Sequence, residues 1–101
     1  MTNGYKILWT DHALDELQKT IDFLEEHWTE KELQNLAIKL EETVTLISHN
    51  PHLFQISESH KELRRAVVLK HNTLYYRIKL QQIEIVSFFS NRQSPKSRKL
   101  K

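Results

Sequence analysis

Apolar positions along this chain follow two rhythms, and the change between them falls near residue 63. The opening "YKILW" (5–9) is rich in aromatic and branched residues and predicts a short strand. Thr10 follows, with Asp11 and Asp15 behind it, a cap and early acids that suit a helix start. Leu14, Leu17, Ile21, Leu24 and Trp28 then recur at spacings of three and four, one stripe of a helix. "TEKE" (29–32) has the form of a capping box, Thr29 accepting at the helix start while Glu32 reaches back. A second stripe follows at Leu33, Leu36, Ala37, Leu40, Val44 and Ile47, and Asn50-Pro51 ends it. So short a connection predicts an antiparallel helical hairpin over 10–50.

"PHLFQISESHKE" (51–62) is polar and irregular and reads as a connecting loop. From Leu63 the period becomes two, and "LRRAVVL" (63–69), "TLYYRIKL" (73–80) and "IEIVSFF" (83–89) predict three successive strands. In the second, Leu74, Tyr76, Ile78 and Leu80 face one way; Tyr75, Arg77 and Lys79 face the other. "KHN" and "QQ" are short enough for hairpins, although Gln-Gln lacks the Gly or Asn of a tight primed turn. Tyr76 and at least one of Phe88 and Phe89 are expected in the core. The predicted class is α+β in the order β-α-α-β-β-β, a helical hairpin on one face of a small, mainly antiparallel sheet. One domain spans 1–101: strand 5–9, hairpin 10–50, sheet half 63–90 and basic tail 91–101. The uncovered sheet face is expected to carry Arg and Lys in a concavity.

Composition sharpens this picture. A hydrophobic fraction of 39% and a charged fraction of 28% are globular values. There is no cysteine, which excludes a disulfide scaffold and thiol chemistry. The N-terminus meets acids quickly, unlike a signal peptide or a membrane span, so a soluble cytoplasmic protein is expected. The net charge of +2 hides a split: residues 1–60 hold four Lys/Arg against eleven Asp/Glu, and residues 61–101 hold eleven against two. A polarity this clean points to an anionic partner, whether nucleic acid or an acidic protein segment.

Most catalytic chemistry finds no footing here. Six histidines are present, but the His49-x-x-His52 spacing contains a proline and no carboxylate pair or cysteine completes a metal set. No metal or cofactor is expected. No serine is flanked by glycine, and a single glycine, Gly4, excludes a phosphate-cradling loop. The carboxylates lie mostly on the helices as solvated faces. What remains is the basic set: Arg64, Arg65, Lys70, Arg77, Lys79, Arg92, Lys96, Arg98 and Lys99, with His71, Tyr75 and Tyr76 among them. Arginine forks suit phosphate or carboxylate, and aromatics among basic strands can stack on unpaired bases.

The stretch "LRRAVVLKHNTLYYRIKLQQIEIVSFFSNRQSP" resembles the sheet half of the ParE/RelE toxin superfamily of type II toxin–antitoxin (plasmid stabilisation) systems. The residues that carry the resemblance are Leu63-Arg64-Arg65, Tyr75-Tyr76-Arg77-Ile78, and Ile85 to Phe89 with Arg92 and Pro95. "DHALDELQKTIDFLEEHW", the second helix and the "NP" loop extend it over nearly the whole chain. The resemblance implies a small cytoplasmic bacterial toxin neutralised by a cognate antitoxin with an acidic C-terminal segment, in complexes that can be higher-order oligomers.

It also implies one of two routes: poisoning DNA gyrase by protein contact, as ParE-like members do, or ribosome-dependent mRNA cleavage, as RelE-like members do. For the second route Arg65, Arg77 and Arg92 would hold phosphate. Arg92 matches the arginine after the last strand of ribonuclease members, but Thr73 stands where they often carry arginine. No Tyr or His follows residue 76, so their C-terminal proton-transfer residue is missing. In-line attack by a ribose hydroxyl needs a base, and a solvated lysine does not supply one. The expected function is therefore ParE-like gyrase inhibition. RelE-like cleavage and a non-toxic binding module of the same fold are the alternatives. Antitoxin- or target-binding residues are expected at Arg64, Arg65, Arg77, Lys79, Arg92, Lys96, Arg98 and Lys99.

Overall fold

The fold comes from a computed structural model that describes residues 4–27 and 30–90. The elements are β1 (Lys6–Trp9), α1 (Asp11–His27), α2 (Glu30–His49), β2 (Arg64–Leu69), β3 (Asn72–Lys79) and β4 (Gln82–Ser90). The expected order holds. The sheet runs β1-β4-β3-β2, antiparallel through β2, β3 and β4, with β1 parallel to β4.

Thr10 caps α1: its Oγ1 accepts from the Ala13 N–H at 3.2 Å, and its carbonyl accepts from the Leu14 N–H at 3.0 Å. Its own N–H and hydroxyl both donate to the Ile85 carbonyl at 3.0 Å, tying the helix start to β4 where β1 ends. The buried face of α1 is Ala13, Thr20 and Leu24, flanked by Leu17 and Phe23: Leu17 and Leu24 of the expected stripe face inward, while Ala13 and Thr20 are buried in place of Leu14 and Ile21. Leu14 is 47% exposed as a result. On α2 the core residues are Leu36, Thr43 and Ile47, with Leu33, Leu40 and Val44 half-buried, and Ala37 is exposed, contrary to expectation. Trp28 and the Thr29 cap lie outside the described residues. At the far end of α2, the Tyr5 N–H donates to the Ser48 carbonyl at 2.8 Å, and the Ser48 hydroxyl donates to the Tyr5 carbonyl at 2.8 Å.

The sheet departs from strict alternation at one place. Tyr75 pairs with Ser87 while Tyr76 pairs with Ile85, so Val86 is an extra residue in β4, a bulge. The bulge resets the inward positions. Ile83 and Ile85 point to the core before it, and Phe88 and Ser90 after it. Phe88 is therefore core, while Phe89 is 43% exposed. Beyond Ile85, β4 has no strand on its outer side among the described residues, and Glu16 of α1 reaches that edge. Its Oε1 accepts from the Phe88 N–H at 2.8 Å and from the Ser87 hydroxyl at 2.7 Å.

The β3–β4 turn is Leu80-Gln81 rather than Gln81-Gln82, since Lys79 pairs with Gln82. Leu80 has φ 54° and is 94% exposed, so it does not continue the inward row of Leu74, Tyr76 and Ile78. A left-handed leucine costs about 1 kcal/mol. Two polar side chains stay unpaired inside: both amide atoms of buried Asn72 and the hydroxyl of its register partner Ser90 have no hydrogen-bond partner among the described residues.

Candidate functional site: the open face of the sheet

With the helices on one side, strand alternation and register place four rows of side chains on the other. The first row is Lys6, Gln82 and Lys79, the second Leu8, Glu84 and Arg77. After the bulge come Ser87, Tyr75 and Arg65, then Phe89, Thr73 and Val67. Among these strand residues are four cations and one carboxylate, so the face is positive, as the charge split implied.

That one carboxylate matters. Glu84 Oε1 accepts from Arg77 Nε at 2.7 Å, and its Oε2 lies 3.8 Å from Lys79 Nζ. The hydrogen bond from Arg77, helped by Lys79, holds the Glu84 carboxyl below its usual range. Arg77 and Lys79 are thus already partly neutralised from within. Arg65 is half-buried between Tyr75 and the loop before β2, and it has no carboxylate partner among the described residues. Arg64 belongs elsewhere. Its Nη1 donates to the Phe54 carbonyl at 2.7 Å and reaches the His52 carbonyl at 3.5 Å, so it holds the loop after α2.

The loop 51–62 is more than a connector. Ile56 bridges to Arg64, and the Arg65 N–H donates to the Gln55 carbonyl at 3.0 Å. Buried Ser57 donates its N–H to the Leu63 carbonyl at 2.8 Å, and its Oγ accepts from the His60 N–H at 3.3 Å. This fold-back sets Ser59, His60 and Leu63 over Tyr75, Ser87 and Phe89, enclosing a recess of 290 Å³. Tyr76 takes no part. Its hydroxyl donates to the Pro51 carbonyl at 2.7 Å inside the core, and burial, opposed by Arg64, pushes its pKa up to about 12. Among the described residues no cluster of three or more His, Asp or Glu could hold a metal ion, and no helix is long and apolar enough to cross a membrane.

The model of the family described as the ParE toxin of type II toxin–antitoxin system, parDE, matches residues 7–95. The chain belongs to the ParE toxin family. No curated protein matches it. Among solved structures, the chain resembles the chromosomal ParDE TA system from P. aeruginosa, at TM-score 0.71 and 15% identity, covering 88% of this chain and 98% of that one. It also resembles the YoeB/ParE toxin from Agrobacterium tumefaciens, at TM-score 0.62 and 13% identity, covering 85% and 98%. A third is a chain of the E. coli DinJ-YafQ toxin-antitoxin complex, at TM-score 0.61 and 14% identity, covering 89% and 96%. At these identities the likeness is one of fold.

In this ParE-family chain the structure brings Arg65, Arg77 and Lys79 to one face and places Arg64 off it. Arg92, Lys96, Arg98 and Lys99 lie outside the described residues. Two members of the recess went unnoticed in the sequence. They are His60 and Ser87. Both meet Tyr75 only through tertiary structure. The one local hint was "SESH", a run of short hydroxyls that favours a compact turn.

Proposed function

We propose that this ParE-family toxin arrests growth by inhibiting DNA gyrase through protein–protein contact, and that a cognate antitoxin with an acidic segment neutralises it on the open sheet face. The observation that carries this reading is the Arg77–Glu84–Lys79 cluster. A face built to grip phosphate keeps its cations available, whereas here a carboxylate already occupies two of them. Protein contact tolerates such internal pairing, because complementary patches need a pattern of charge rather than bare cations. The match to a ParE model over residues 7–95 supports the same reading. Purified protein is expected to inhibit supercoiling by gyrase at micromolar concentration or below; untouched supercoiling sinks the proposal.

One observation favours a second reading, RelE-like mRNA cleavage on the ribosome. The recess holds His60 and Tyr75, an imidazole and a phenol, with Arg65 in the same strand row as Tyr75. These are groups able to move a proton beside a cation. Codon-specific cuts in translated mRNA after induction, lost in His60→Ala, establish this second reading; intact transcripts in arrested cells exclude it.

A further inference from the structure

Leu80 is placed unfavourably on two independent counts. It is the most exposed of the large apolar side chains among the described residues, at 94%. It also holds the left-handed φ of 54° at the tip of the β3–β4 hairpin, where Gly or Asn fits without steric conflict. The leucine is neither part of the core nor one of the half-buried apolar residues packed against it. Residues held in such conformations against local preference concentrate where function requires them.

Its surroundings define what it fits. The row of the open face next to the tip is Lys6, Gln82 and Lys79, so two lysines and the glutamines 81 and 82 flank the leucine. The nearest acid, Glu84, sits one row further in and is shared with Arg77. A protruding leucine gains nothing from a phosphate backbone. It gains from an apolar hole, and the lysines beside it match carboxylates at that hole's rim. A segment that orders only on binding supplies its own apolar knobs and lies along grooves; a preformed hole belongs to a folded surface. We propose that Leu80 is the anchor by which this toxin docks into an acid-rimmed apolar pocket on the folded protein it inhibits, and that the antitoxin does not depend on it. This inference rests on the proposed function, in that the target is a protein.

Three variants test it: Leu80→Gly, which removes both anchor and strain; Leu80→Asn, which suits the backbone but is polar; and Leu80→Met, which keeps an apolar side chain. In a supercoiling assay with purified gyrase, Leu80→Gly and Leu80→Asn are expected to inhibit at least about tenfold more weakly than the wild type, the loss from unburying one leucine. Leu80→Met is expected to stay within about threefold of it. Leu80→Gly should melt no lower than the wild type, because relief of the strain offsets glycine's backbone entropy, and bind the antitoxin with unchanged affinity. Full inhibition by Leu80→Gly overturns the anchor, and so does an equal loss of antitoxin affinity. Wild-type protein inactive on gyrase counts against the gyrase reading instead. The anchor is then judged by growth arrest on induction, where arrest by Leu80→Gly equal to wild type overturns it.

Discussion

At the residue scale, the two adjacent tyrosines divide their duties, and this division is measurable. Tyr76 is sealed in the core with its hydroxyl on Pro51, whereas Tyr75 opens onto the recess. Tyr76→Phe strands the Pro51 carbonyl and should lower unfolding stability by about 1–2 kcal/mol in a urea titration. The tyrosine also carries a pH signature. Its pKa rises from 10.0 to about 12 in the fold. Folding therefore favours the neutral phenol, so this contribution is complete below pH 10 and is lost as pH rises toward 12. Tyr76→Phe should flatten that alkaline loss, and a stability curve equally steep in the mutant rejects the assignment. Glu84 has the opposite sign. Its carboxyl is held below the usual range, so the Arg77 pair contributes at neutral pH and fades on acidification through and below the glutamate range. The pairing pattern of a residue such as Arg77 is not legible in its sequence neighbourhood, because Glu84 meets it only across the β3–β4 ladder.

At the element scale, periodicity identified each helix and strand of the described residues and missed by about one residue at most strand ends. It failed where an element's environment changes along its length. The alternation in β4 breaks at Val86, and the helical stripe of α1 rotates away from Leu14, both at the junction that Glu16 closes. No local pattern announces the bulge, or that the Phe88 N–H beyond it is satisfied by a carboxylate from α1. Glu16→Ala removes both hydrogen bonds from that carboxylate. It should destabilise by about 2–3 kcal/mol in chemical denaturation, and a change under about 0.5 kcal/mol would show this edge of β4 to be held otherwise. The opposite experiment lies at the end of the same strands. Asn72 is buried with neither amide atom partnered, so Asn72→Leu is expected to be neutral or to raise stability by up to about 1 kcal/mol. A clear drop in melting temperature would mean that the amide has a partner after all.

At the scale of the whole molecule, the charge split becomes a structure with two faces: acidic helices on one side of the sheet, and on the other a positive grid with one carboxylate in it. The grid was legible in outline from the period-two pattern of the sheet half. The recess over it was not, because it needs the loop 51–62 to fold back through Ser57 and Ile56. For the antitoxin, charge reversal at Arg65 should weaken binding more than reversal at Arg77, since Arg77 already spends its charge on Glu84. Titration calorimetry of the two variants decides the ranking, and equal losses count against it. The strand order has a separate consequence, in time rather than in space. Among the described residues the first strand, β1, pairs only with the last, β4, and β4 is also the inner strand that carries β3. Neither the four-stranded sheet nor its open face is complete until β4 has been made. Long-range pairing of this kind slows folding, and a chain still in synthesis has no finished surface with which to act. In this ParE-family chain the surface proposed to meet a partner is therefore finished only once β4 is free to pair.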